Sequence, residues 1–236
     1  QATGLSGFSD GRFTLNIISG MGTLQTSAGT ALSLGDLLFS APNLAMSSTG
    51  GAEGARFDRV NGSFSSTNTS TIASTTGTAF LVDGGNANLV YNGTITQSAG
   101  RTVQVANRTG GSVSFTGMVS GGGTGVSLTS NVGSTVTFSG GLVLNTGTNT
   151  AFTATNAGTV TVTGSANTLT TTTGTAFNMT GSTIGASGIT FLSVSANGAP
   201  VGISLENIGT NGEFKVTGTG TAGSGGTIQN TSGSGV

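Results

Sequence analysis

The chain has 236 residues and contains no cysteine, no histidine and no tryptophan. Without cysteine it has neither disulfides nor thiolate nucleophiles, and without histidine it has no imidazole base. The usual soft ligands for zinc are missing for the same reason. We therefore expect hydrogen bonds and packing alone to hold the fold, and we expect no metal, no cofactor and no catalytic residues.

Charge is also scarce. Only 6% of the residues are charged and the net charge is -1, so no basic face is available for a phosphate backbone. No run of 18 apolar residues occurs, which is the length a membrane-spanning helix needs. The composition therefore predicts neither a nucleic-acid partner nor insertion into a membrane.

What the chain does have is a repeat. Short apolar segments recur at spacings of 23 to 26 residues. Their central residues are Leu32, Phe57, Phe80, Val103, Val126, Phe152, Phe177, Ile203 and Ile228. A fixed period of this length is typical of a solenoid, in which each repeat stacks on its neighbours.

Within one repeat, apolar and small polar residues alternate, as in Val113-Ser114-Phe115. A period of two indicates strands with one buried face. About three such segments fit into each repeat, with glycine-rich turns between them. The sequence therefore predicts an all-β parallel β-helix (β-solenoid) of about nine coils of 23-26 residues, with strands about 4.8 Å apart along the axis.

The repeat is regular over residues 29-236, and we expect one continuous β-helix there. Residues 1-28 fit the pattern less well and are predicted to form an irregular first coil or a partial cap. No linker interrupts the chain.

Asparagine follows the apolar segment by four or five residues in several coils. These residues are Asn61, Asn107, Asn131, Asn156 and Asn207. Asparagine tolerates the left-handed backbone that a sharp corner needs. We predict corners at these places, with the Asn side chains bonded to one another up the rod.

The second coil departs from the pattern, because Arg59 falls where other coils place an inward apolar residue. Either a one-residue bulge turns Arg59 outward and brings Val60 in, or a buried Arg59 pairs with a carboxylate. We favour the bulge. Tyr91, by contrast, falls at an inward position.

The late coils resemble a known group of proteins. Their repeat pattern is clearest in residues Gly174 to Thr180, Ile184 to Phe191 and Gly218 to Gln229. This pattern is similar to the repeats of very large bacterial secreted or surface proteins with right-handed parallel β-helices. This resemblance covers residues 29 to 236. It implies a right-handed coil, an extracellular or cell-surface location, and a role in adhesion or matrix.

Some right-handed β-helices cleave polysaccharides, so an enzyme or a polysaccharide-binding module on the same fold is the first alternative function. Such enzymes need clustered acids. Asp58 and Asp83 lie on consecutive coils, but they are offset by two positions relative to their apolar segments. We therefore expect them not to lie above one another, and we predict no enzymatic activity.

Two surface features remain. Glu53, Arg56, Asp58 and Arg59 place four charges within seven residues, which predicts either a lateral contact for a neighbouring rod or a local ion network. Serine and threonine recur at outward positions of successive coils, as at Ser112 and Thr135. Such arrays can order water, so ice binding is the second alternative function.

The last segment, Thr227, Ile228 and Gln229, reads as the opening strand of a further coil without a cap. Unpaired strand edges invite pairing. Either the chain is part of a longer solenoid whose neighbouring coils cover this edge, or the edge docks on the first coil of another copy. We favour the second account: a structural subunit of a filament, surface layer or adhesin stalk that stacks head to tail, with surface polysaccharide as a further possible partner.

Overall fold

The computed structural model describes residues 14–16 and 22–236 of the chain. Their strands, numbered β1 to β26 in chain order, pair only with parallel neighbours, and this part of the chain contains no helix. Each coil crosses three faces in turn, here called A, B and C, and each strand away from the two ends pairs with its equivalents in the coils before and after. The predicted all-β parallel β-solenoid is confirmed.

The strands of the three faces have the following bounds. Face A contains β1 (Thr14–Asn16), the first half of β4 (Leu38–Thr49), β6 (Asn61–Ser66), β9 (Asn88–Tyr91), β12 (Ser112–Phe115), β15 (Thr135–Phe138), β18 (Thr159–Val162), β21 (Thr183–Phe191), β24 (Gly209–Thr210) and β25 (Phe214–Val216). Face B contains β2 (Thr23–Thr26), the second half of β4, β7 (Thr71–Ala73), β10 (Thr94–Gln97), β13 (Val119–Gly121), β16 (Leu142–Gly147), β19 (Thr168–Thr171), β22 (Ser193–Asn197) and β26 (Ile228–Gln229). Face C contains β3 (Leu32–Gly35), β5 (Ala55–Asp58), β8 (Thr78–Asp83), β11 (Arg101–Ala106), β14 (Val126–Thr129), β17 (Phe152–Thr155), β20 (Phe177–Thr180) and β23 (Ile203–Glu206).

The core is the space enclosed by the three faces. Alternate residues of each strand point into it, and nearly all of them are apolar and fully buried. Aromatic rings form a continuous column through this core, with neighbouring ring centroids 4.9 to 6.2 Å apart. The rings of the column belong to Phe39, Phe64, Phe57, Phe80, Phe115, Phe138, Phe152, Phe177 and Phe214. Tyr91 is buried beside Phe80, as its inward position predicts.

The corner after face C repeats in every coil. Its first residue has a left-handed backbone, with φ between 48° and 70°. The residues at this position are Asp36, Arg59, Gly84, Asn107, Ser130, Asn156, Gly181 and Asn207. From Asp36 to Gly181, each backbone N–H of this column donates to a carbonyl of the next coil, so the corners are joined by a ladder of their own.

The asparagine prediction is therefore right in part. Asn107, Asn156 and Asn207 lie at the left-handed corner, whereas Asn61 lies in β6 and Asn131 lies one residue beyond the corner. The predicted bonding of these Asn side chains to one another is wrong for the described residues, because no side-chain hydrogen bond there joins any two of the five. The Asn107 amide, for example, donates to Asp83 at 2.8 Å.

The second coil shows why Arg59 looked anomalous. Phe57 pairs with Leu34 and with Val82, so Ala55, not Phe57, is equivalent to Leu32 and Phe80. Arg59 consequently lies at the corner, with its side chain outward, while Val60 is buried. The outward Arg59 is confirmed, but the predicted bulge is not needed, because both ladders of β5 run without a shift.

The ninth anchor is also displaced. Ile228 pairs with Ala196 on face B, not with Ile203 on face C. The residue that lies over Gly202 is Gly235, whose carbonyl accepts hydrogen bonds from the amides of Gly202 and Ile203. Face C therefore has eight strands in the described residues, and the structure has about eight coils instead of nine.

Candidate functional site

One end of the rod exposes the interior of the solenoid. Leu205 points inward from β23 and Val216 points inward from β25, yet their exposed fractions are 42% and 40%. Their equivalents one coil earlier, Met179 and Phe191, are completely buried. The difference arises because no strand in the described residues lies over the last layer.

Phe214 and Ile228 complete this layer and are only partly buried. We call Leu205, Phe214, Val216 and Ile228 the open end. They come from all three faces, so part of the core is uncovered on each face, although Ile203 at the start of β23 is buried. β25 and β26 each pair on one side only within the described residues, which leaves them a free backbone edge, whereas the Ile203 amide at the start of β23 donates to Gly235.

The residues predicted for end stacking lie at this open end. Ile228 and Gln229 form β26, the last strand of face B, and the carbonyl of Thr227 accepts a hydrogen bond from the Ala196 amide at 3.0 Å. The sequence pattern placed Ile228 in line with Ile203 of face C, whereas the structure places it on face B. That these residues contact another strand stays a prediction.

A second feature is a group of charged side chains on face C near the other end, which we call the charged cluster. Its members are Asp36, Glu53, Arg56, Asp58, Arg59 and Asp83. Arg59 holds both oxygens of Asp36, at 2.5 and 2.6 Å, and also contacts Asp58 at 2.6 Å. Arg56 contacts Glu53 at 3.0 Å and Asp58 at 3.6 Å.

The hydrogen bond from Arg59 lowers the pKa of Asp36, and the same bond raises the pKa of Arg59. Both side chains are partly exposed, so water weakens this interaction. The sequence identified the four charges between Glu53 and Arg59. It missed Asp36, which lies 23 residues earlier and reaches Arg59 only because the coils stack.

Asp58 and Asp83 lie in register on neighbouring strands, so the predicted offset between them is wrong. The reason is again the anchor of the second coil, which lies two residues earlier than the sequence pattern places it. Arg59 donates to Asp58, and Asn107 donates to Asp83 at 2.8 Å. Each of the two carboxylates is therefore held by a hydrogen-bond donor from the corner after face C.

The outward serine and threonine columns of face A are in register as the sequence predicts. Ser112, Thr135, Thr159 and Thr183 follow one another up the rod. The neighbouring column ends at Thr161, which is only 8% exposed because the bulged segment of β21 covers it at Gly185. The regular array is therefore only a few coils long.

The most unusual buried group was missed by the sequence analysis. The Arg108 side chain lies inside the corner between faces C and A with 2% of its surface exposed. It donates to the carbonyls of Gly84 at 3.1 Å, of Gly110 at 3.0 Å and of Ala87. Burial without a carboxylate lowers the pKa of Arg108 to about 10.

Features that a carbohydrate site or a metal site would use do not come together in residues 14–16 and 22–236. No phenylalanine or tyrosine in this part of the chain is among the exposed apolar side chains. Acidic side chains form no group of three suited to a metal ion there. The same residues include no helix long and apolar enough to cross a bilayer.

The described residues form a parallel β-solenoid whose last layer is partly uncovered. No protein family, no curated protein and no solved structure matches the chain.

Proposed function

We propose that this protein is a non-enzymatic structural element that builds a filament, surface layer or adhesin stalk by stacking its coils end to end. The open end supports this proposal most directly. A layer in which Leu205, Phe214, Val216 and Ile228 are partly uncovered can bury its apolar surface when another coil is placed on it.

The partner that fits this surface is a second copy of the chain. Every coil presents the same three faces with parallel strands, so the surface that best matches one coil is the next coil of the same kind. At the other end of the rod, β1 and β2 pair with β4 on one side only within the described residues. In the proposed contact β1 of one copy adds to β25 of another, and β2 adds to β26.

Such a contact joins two different ends, so it does not close and it grows a fibre. Backbone hydrogen bonds between strand edges provide the affinity, and apolar side chains of the last layer provide the buried area. The proposed filament is polar, since all its strands point the same way around each coil.

An extracellular or cell-surface location is part of the proposal. It rests on the resemblance of the late coils to secreted and surface β-helix proteins of bacteria. The charged cluster is the proposed lateral contact between rods, because charges of both signs held in fixed positions favour one relative orientation of the two rods.

Electron microscopy of the purified protein tests the proposal, with sedimentation as a second measurement. We expect rods that lengthen with protein concentration. Leu205→Asp places a charge in the last apolar layer, and we expect it to leave only monomers. Val132→Asp is the matched control, because Val132 is a 73% exposed side chain away from both ends. Monomeric wild-type protein at high concentration would refute the proposal.

A further inference from the structure

Neighbouring coils in the middle of the rod have nearly interchangeable cores. On face C, Val103 and Val105 of β11 occupy the same inward places as Val126 and Leu128 of β14. The two strands lie 23 residues apart, and β8 precedes β11 by the same distance. The apolar side chains of this face therefore distinguish poorly between one coil and the next.

Face A repeats this degeneracy. Val113 and Phe115 of β12 are followed in register by Val136 and Phe138 of β15. A chain in which the coil of β14 and β15 stacked directly on the coil of β8 and β9 would thus bury an almost identical set of side chains. Since apolar burial is not directional, it opposes such a slip only weakly.

The corner between faces C and A does differ from coil to coil. Its inward residue comes immediately after the left-handed corner residue. Along the rod this column contains Leu37, Val60, Gly85, Arg108, Asn131, Ala157, Ser182 and Ile208. Arg108 lies directly above Gly85, the one member of the column without a side chain.

The Arg108 side chain lies against the Gly85 corner. Gly85 itself has φ +68°, and a Cβ atom there would lie 2.1 Å from the carbonyl oxygen of Val60 in the coil before it, so this corner requires glycine. The Arg108 guanidinium reaches down into this glycine corner, where it binds the carbonyls of Gly84 and Ala87. From above, the Asn131 amide oxygen accepts the Arg108 backbone N–H at 3.1 Å.

We propose that Arg108 and the Gly85 corner form a register key that selects the correct order of otherwise interchangeable coils as the chain folds. In a chain slipped by one coil, Asn131 would lie over Gly85. In the native order the Arg108 guanidinium donates to the carbonyls of both Gly84 and Ala87. The shorter Asn131 side chain does not replace both bonds, so buried carbonyls would lose their donors in the slipped chain. Arg108 itself would lie in the coil of β11 and β12, which such a slip leaves out of the stack.

Buried polar groups of this kind add little net stability, yet they can fix register. The proposed role of Arg108 is therefore visible in which coils meet and not in the melting temperature. Because a slipped chain leaves a whole coil unpaired, we expect it as a trapped product of refolding and not as an equilibrium state.

Paired cysteines can report which coils meet, since the chain contains none of its own. Leu81, Gln104 and Ser127 lie in register on the outer side of face C. Neighbouring strands are about 4.8 Å apart, within disulfide range, whereas strands two coils apart are about 9.6 Å apart and outside it. Gln104→Cys with Ser127→Cys reports the native order, and Leu81→Cys with Ser127→Cys reports the slip.

Each cysteine pair is refolded from denaturant under oxidising conditions, with and without Arg108→Met. We expect the slip cross-link to rise about fivefold with Arg108→Met, since removing a discriminating hydrogen-bonded group of about 1 kcal/mol changes a partition by a factor of about five. Leu128→Ala is the control, because it destabilises the core without touching this corner.

A slip cross-link that is unchanged by Arg108→Met overturns the proposal, and so does an equal rise in Leu128→Ala. If Arg108→Met forms neither the native nor the slip cross-link, the variant has not folded. Arg108→Gln then decides the question, because its side-chain amide retains a donor to the corner. With Arg108→Gln we expect an intermediate amount of the slip cross-link, and an amount equal to the parent overturns the register key.

Discussion

The rings of Phe115 and Phe138 stack face to face one coil apart, with centroids 4.9 Å apart and planes inclined by 11°. This pair is one step of the aromatic column that runs through the core. Most steps of this column join one coil to the next, so a ring such as Phe115 or Phe138 packs against more than its own coil.

Phe138→Ala is therefore expected to lower the free energy of unfolding by about 3 to 5 kcal/mol, since Phe138 is fully buried and its removal leaves a cavity. Equilibrium unfolding in denaturant measures this loss. Val132→Ala, at an exposed corner, should change the same free energy by less than about 0.5 kcal/mol. Equal losses in the two variants would contradict an aromatic core.

The pair of Asp36 and Arg59 predicts a dependence of stability on acid. The pKa of Asp36 is lower in the folded protein than in the unfolded chain because Arg59 binds the carboxylate. Its contribution is then complete above the unfolded value of about 3.9 and is lost as the pH falls through the folded value. We expect the melting temperature of the wild type to fall below about pH 4.

At neutral pH the Asp36→Asn variant should have a lower melting temperature than the wild type. On acidification its melting temperature should fall by fewer degrees than that of the wild type. Glu213 beside Lys215 has a lowered pKa as well, so part of the acid dependence will remain in this variant. If Asp36→Asn and the wild type lose the same number of degrees between pH 6 and about pH 2.5, the Arg59 contact contributes nothing.

Alanine substitutions at two glycines with positive φ distinguish the cost of backbone strain from the cost of a steric clash with the neighbouring coil. Gly111 has φ +69° and a Cβ atom there would lie 2.1 Å from the Asn86 carbonyl oxygen, whereas Gly220 has φ +89° and open space around it. Gly220→Ala should cost about 1 kcal/mol through strain alone. Gly111→Ala should cost about 3 kcal/mol or more, because the backbone of the neighbouring coil must also move.

Denaturant unfolding of the two variants measures the difference between them. Similar losses would mean that neighbouring coils are not packed at the strand spacing described here.

The solenoid architecture can be predicted because the sequence shows both the spacing of apolar segments between coils and the alternation of apolar and polar residues within each coil. What the spacing does not fix is the register within a face. A shift of two residues keeps every side chain on the same side of a strand, so Phe57 and Ala55 are equally good anchors until the partners Leu34 and Val82 are known.

The same ambiguity explains Ile228. The last coil contains an extra segment between Val216 and Ile228, and this places Ile228 at the usual distance from Ile203 although it belongs to face B. Arg108 was missed for another reason. Charged residues are expected outside, and the only signal that Arg108 points inward is its place one residue after the corner, where other coils have Val60 and Ala157.

The length distribution of wild-type filaments grown with a small fraction of the Leu205→Asp variant tests the central claim most directly. Such a copy retains its first coil and can join the open end of a growing rod, but it cannot accept the next copy. The stacking account predicts that about one variant in ten shortens the filaments severalfold, while Val132→Asp at the same fraction leaves them unchanged. Filaments of unchanged length with Leu205→Asp would contradict stacking at the open end.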